Sequence, residues 1–131
     1  MYTKGDIIGF SRKYWSHYGI YIGDDMILHL DLDDHGMGVV CKQKIHEIEG
    51  VHWLANHRFA KQTIPYEQTV AMGNAMVGPY PTYNLFTDNC EHFVNRLRCG
   101  YNFSLQTIAL VLATWLGLKF LISSCNFAIH N

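Results

Sequence analysis

The sequence lacks an excess of charge of either sign. Its 10 basic side chains stand against 11 acidic ones, which removes the electrostatic footprint of a nucleic-acid-binding protein. It has only four cysteines, Cys41, Cys90, Cys99 and Cys125, with no CxxC pair among them. That scatter fits reduced thiols and not a disulfide framework. Paired ligands at zinc-finger spacing are missing too: Cys41 with His46, and His52 with His57, have no partner pairs, so neither a metal nor a cofactor is expected. No apolar run follows the opening Met-Tyr-Thr-Lys-Gly-Asp, so a cleaved secretory leader is not expected and the domain is expected to begin in the cytosol. Internal repeats and low-complexity segments are absent. What remains is 131 residues, 49% of them hydrophobic, enough for one small domain with its own core.

The chemistry concentrates in Asp88-Asn89-Cys90-Glu91-His92-Phe93-Val94. Asp88 followed by Glu91 has the spacing of an N-cap with its capping-box partner, which puts Cys90 at the second position of a helix. Phe93, Val94 and Leu97 follow Cys90 at i+3, i+4 and i+7, so the thiol lies on the inward face. Gly100, after Cys99, is placed to close the helix in the left-handed conformation. A thiol at a helix start feels the positive end of the dipole, which is expected to lower its pKa and favour the nucleophilic thiolate. The bland alternative is a small buried cysteine that only packs.

Upstream, Ile7 to Phe10 reads as a short strand, and Arg12-Lys13-Tyr14-Trp15 as a basic aromatic loop. Ser16 to Ile22 and Met26 to Leu30 read as a hairpin turned by Gly23-Asp24-Asp25. Its loop length puts His17 and His29 on one face with Gly19, Tyr21 and Ile27, close enough for one imidazole to orient the other. Val39 to Ile48 and Val51 to Ala55 read as further strands joined by a turn at Glu49-Gly50. A helix is expected from Thr63-Ile64-Pro65, with Tyr66, Val70, Gly73 and Val77 on one face and Met72 and Met76 as core filler, ending before Gly78-Pro79. Tyr83 to Phe86 should then run extended into the cysteine helix. His92, about 200° around that helix from Cys90, is expected to be structural.

From Leu105 to Ile122 the only charge is Lys119. As a helix this run would be about 27 Å long, close to the roughly 30 Å hydrocarbon core of a bilayer. It is apolar on all faces and not on one stripe, which favours a membrane anchor over a helix packed on the domain or pairing in a dimer. Arg96 and Arg98 precede it and nothing basic follows, so the positive-inside bias would keep residues 1–103 on the cytosolic side of residues 104–131. The oligomeric state stays open.

Trp15-Ser16-His17-Tyr18-Gly19-Ile20-Tyr21-Ile22-Gly23, Ile27-Leu28-His29-Leu30 and Asn89-Cys90-Glu91-His92-Phe93-Val94-Asn95-Arg96-Leu97-Arg98 together resemble the lecithin:retinol acyltransferase-like family, the H-box and NC group. The resemblance implies an α+β fold of the circularly permuted papain-like kind, with an antiparallel sheet packed on the nucleophile helix and a hydrophobic helix at the C-terminus. It also implies a thiol site in which Cys90 is the nucleophile, His17 the general base and acid, and His29 the residue that orients His17. Its cellular members are phospholipase A and acyltransferase enzymes acting on glycerophospholipids. The 2A proteins of some picornaviruses carry the same motifs, so a non-catalytic membrane-associated module, viral or cellular, is the second reading. A cysteine peptidase or amidase is a third, with no use for the apolar tail.

Overall fold

The computed structural model describes residues 1–59 and 61–129, with the backbone alone for Arg58 and residues 120–129. Strands β1 (Ile7–Ser11), β2 (Ser16–Gly23), β3 (Met26–Leu32), β4 (Gly38–Lys44), β5 (Val51–Leu54) and β6 (Gly78–Pro79) form one antiparallel sheet in the order β5-β1-β2-β3-β4-β6. Helices α1 (Tyr66–Ala75) and α2 (Cys90–Cys99) follow, and α3 (Leu105–Ile129) ends the chain. This is the α+β arrangement expected.

Alternation along the strands sorts the core into two clusters. Ile7, Tyr18, Ile20, Leu28, Leu30 and Val40 meet Phe93, Val94 and Leu97 of α2 on one face. Ile8, Phe10, Tyr21, Ile27 and Ile48 pack together on the other. The β2–β3 hairpin closes through Asp24 and Asp25, whose φ values of 53° and 57° give the turn the hand that matches strand twist. Gly19 then falls opposite His29. A Cβ on Gly19 would lie 2.4 Å from Ile27 Cγ2 and 3.1 Å from His29 Cβ, so the missing side chain is what lets His17 reach His29 on the diagonal.

Several expectations are corrected. Val51–Leu54 does not form a hairpin with the preceding strand; it crosses to pair with β1, because Val39 to Ile48 breaks into a 3-10 turn at Ile45–Glu47. The buried face of α1 is Thr69 and Gly73, where Thr69 Oγ1 donates to Leu97 O at 2.8 Å, while Val77 lies beyond the helix and is exposed. Met72 and Met76 pack against the core as expected. Residues 83–87 are not extended: they turn, closed by paired backbone bonds between Asn84 and Asp88.

The tail differs in two ways from the expectation. The helix runs further, to Ile129, and its described side chains stand out on every side, Ile108, Val111, Leu112, Trp115 and Leu116 among them. It is therefore not a helix packed on the domain over those residues. Among the described residues no helix is long and apolar enough to cross a membrane. The stretch with described side chains, 105–119, is about 22 Å long, and the rest of the expected span, 120–122, lies outside it, as does Cys125.

Candidate active site

The helix that carries Cys90 begins one residue later than the spacing suggests. Asn89, not Asp88, is the N-cap: its Oδ1 accepts the Glu91 and His92 amides at 3.0 and 3.2 Å, and His92 Nδ1 accepts the Asn89 amide at 3.3 Å. Cys90 is thus the first helical residue. Asp88 is withdrawn from capping by Tyr80 and Thr82 hydroxyls at 2.9 and 3.1 Å and by Arg96 at 3.3 Å. At the other end Gly100 closes the helix at φ 76°, as its position implied. His92 is buried in the capping box, the structural role expected for it.

Glu91 is freed for a different task. It is 2% exposed, and its carboxylate oxygens accept Ser104 Oγ at 2.6 Å, the Leu105 and Gln106 amides at 3.2 Å each, and Gln106 Nε2 at 3.3 Å. A carboxylate on the residue after Cys90 therefore caps α3. Gln106 completes the joint by pairing with both backbone groups of Ser16, its Oε1 accepting the amide and its Nε2 donating to the carbonyl, each at 3.0 Å. One side chain ties the neighbour of Cys90 to the neighbour of His17. Replacing Glu91 with Ala would strand these donors, and we expect a loss of about 3 kcal/mol or more in chemical denaturation.

The two histidines meet as expected. His17 Nε2 lies 2.9 Å from His29 Nδ1, and His29 Nε2 lies 2.7 Å from Gln43 Oε1. A carbonyl oxygen can only accept, so His29 carries its proton on Nε2 and offers Nδ1 as an acceptor. His17 then donates from Nε2 and keeps Nδ1 unprotonated. Cys41 Sγ sits 3.4 Å from His29 Nε2, and Asp31 Oδ2 lies 3.9 Å from His29 Nδ1 and 3.4 Å from Arg12 Nη2.

Cys90 and His17 line one cavity of about 490 Å³ at the end of the sheet. His17 arrives on the strand face opposite α2, whereas Tyr18, next to it, packs on α2 and gives its amide to the Cys90 sulfur. Arg12, Asp31 and Gln106 add polar groups, and Trp15, Leu30, Leu85 and Leu110 make much of the wall apolar. His29 is fully buried behind His17.

The expected activation of the thiol is corrected by its burial. Desolvation pushes Cys90 up to about 11, against the lowering pull of the Tyr18 amide, and pushes His17 down to about 3. At rest the proton stays on sulfur. His29 is likewise held below its ordinary range, mainly by burial. The signs fix a stability prediction. An unfolded imidazole takes up a proton near 6.5 and native His17 refuses it until about 3, so stability is full above 6.5 and falls as pH drops through that window. Urea midpoints at pH 7 and 4 should differ in the parent and differ less in His17→Gln.

Gln43, Glu91, Gln106 and Arg12 were not singled out for this site from sequence. Gln43 carries a signal: it is one of the odd-numbered residues of β4, and its partner across the ladder is Ile27, beside His29.

A buried thiol and paired imidazoles on an α+β scaffold define a thiol–histidine site. Residues 1–103 match the family model for Lecithin retinol acyltransferase. The chain belongs to that family. It is 28% identical over 150 residues to Phospholipase A and acyltransferase 4 of Homo sapiens, covering 97% of this chain and 90% of that protein. Phospholipase A and acyltransferase 2 of Homo sapiens is 30% identical over 124 residues, 82% of this chain and 76% of its own. Lecithin retinol acyltransferase of Rattus norvegicus is 30% identical over 134 residues, 80% of this chain but 58% of its own.

Proposed function

We propose that the chain is a thiol-dependent acyl hydrolase and acyltransferase that takes acyl groups from glycerophospholipids. The observation that carries this reading is the single cavity with apolar walls onto which Cys90 and His17 both open, in a chain similar to phospholipase A and acyltransferase proteins. His17 takes the Cys90 proton as sulfur attacks the ester carbonyl. The C–S bond forms, the ester C–O bond breaks, and His17 returns the proton to the departing lysolipid oxygen. Water, an amine or an alcohol then attacks the thioester at Cys90 and restores the thiol. His29, fixed by Gln43, holds the His17 ring and its tautomer.

Because the resting proton is on sulfur, His17 acts as a base during attack and not through a standing ion pair. The role of α3 in this reading is to bring the cavity to lipid: Leu110 lines the cavity, and apolar side chains stand out all round the helix beyond it. The domain would sit at the cytosolic face of the bilayer.

Purified full-length protein incubated with a phospholipid labelled in both acyl chains should yield lysophospholipid and free or transferred acyl product. Shortening the chain after Leu110, which keeps the Ser104–Gln106 joint to Glu91 and the cavity wall, should leave cleavage of dispersed short-chain lipid while lowering cleavage of bilayer lipid. If the folded full-length protein releases no acyl group from any phospholipid, the non-catalytic membrane module takes its place.

A further inference from the structure

We infer that His17, His29 and Asp31 form a binding site for a divalent zinc ion, and that the ion switches the thiol site off. Each of the three offers a ligand atom, and these atoms all lie within 4.8 Å of one another. His17 Nε2 and His29 Nδ1 are 2.9 Å apart, and Asp31 Oδ2 is 3.9 Å from His29 Nδ1. Zinc bonds of about 2.0–2.1 Å set two ligand atoms of a tetrahedron about 3.3 Å apart. Binding would open the first distance and close the second by roughly half an ångström, and would draw Asp31 toward His17 from a separation of up to 4.8 Å.

The surroundings have the form of a metal site. A ligating histidine is oriented when its other nitrogen donates to a fixed acceptor, and His29 Nε2 already lies 2.7 Å from Gln43 Oε1, which leaves the Nδ1 lone pair, now accepting from His17 Nε2, to turn to the ion once that proton moves. His17 joins by moving its proton from Nε2 to Nδ1. Asp31 and His17 both line the cavity, which gives the ion an entry path and leaves room for water at the fourth position. Arg12 opposes the ion, since its guanidinium holds Asp31 Oδ2 at 3.4 Å.

Inhibition follows from the same proton. The nitrogen that accepts the Cys90 proton becomes an N–H, and the nitrogen behind it is bound to metal, so no base remains for the thiol. This consequence rests on the role proposed for His17; the binding itself does not.

The test uses metal-free full-length protein titrated with cobalt(II), the spectroscopic stand-in for zinc. We expect one ion per chain with the intense visible bands of tetrahedral cobalt, displaced by zinc, and no sulfur-to-cobalt charge-transfer band. Asp31→Asn should weaken binding more than about tenfold, and Gln43→Leu by about 10- to 100-fold. Arg12→Ala should tighten it, a direction that a misfolded variant cannot imitate. Cys90→Ser should not change it. No binding, equal affinity in Asp31→Asn, or a sulfur band lost in Cys90→Ser or Cys41→Ser overturns the site. Bound zinc that leaves phospholipid turnover intact overturns the inhibition. Metal binding as described in a chain that never releases an acyl group leaves this site standing and removes the proposed function.

Discussion

Replacing Cys90 with serine should lower acyl release by more than about a thousandfold while leaving the fold in place. The sulfur sits where α2 begins, 8% exposed, with the Tyr18 amide on it and the cavity in front. A serine hydroxyl fills the same space. It holds its proton far more tightly than a thiol and is the poorer nucleophile, so the imidazole that takes the thiol proton during attack does not draw this one off at a comparable rate. Cys41→Ser and Cys99→Ser should be nearly silent in comparison, because Cys41 lies on the far side of His29, beside Gln43 Oε1, where a serine hydroxyl can make the same contacts, and Cys99 donates to Asn95 O at 3.1 Å within α2. The rate of iodoacetamide alkylation should rise with pH to an inflection well above the ordinary thiol value, since burial has raised Cys90 to about 11. An inflection below about 8.5 would show an activated thiolate and a different resting state.

His17→Ala should cost about 10²- to 10⁴-fold, the usual worth of a general acid–base group, whereas His29→Gln should cost less. His17 must accept a proton in each half-reaction and give one back. His29 accepts one hydrogen bond from it, at 2.9 Å, and a glutamine carbonyl can also accept. The discriminating readout is the ratio of the two losses in turnover under matched circular dichroism. Equal and complete loss in both variants would mean that the hairpin collapses or that His29 itself moves the proton.

Much of this site was legible before any coordinates. Parity across a short hairpin is enough to put His17 and His29 on one face, because side chains alternate strictly along strands; Gly19 opposite His29 then opens the diagonal between them. Periodicity placed Cys90 on the inward side of α2 for a similar reason. The cap was misread because Asp88 and Asn89 are both good caps, and what decides between them is Tyr80, Thr82 and Arg96 gathering around Asp88. Glu91 was misread with it, since its partners lie in residues 104–106 and no local rule reaches across the chain turn. The β5–β1 pairing is likewise long-range, joining strands some forty residues apart. The direction of the Cys90 pKa failed for a physical reason. Helix position argues for a lowered value, and burial of the sulfur argues for a raised one; the depth of burial is a property of packing, which sequence spacing does not carry.

The central claim is that sulfur of Cys90 takes the acyl group. Full-length protein mixed briefly with a phospholipid in which one acyl chain is isotopically labelled, then quenched in acid and digested, tests it directly by mass spectrometry. A labelled acyl group is expected on the peptide containing Cys90, removed by neutral hydroxylamine and absent in Cys90→Ser. Phospholipid turnover with Cys90 unmodified at every time point, or an acyl group found on another residue, would contradict it.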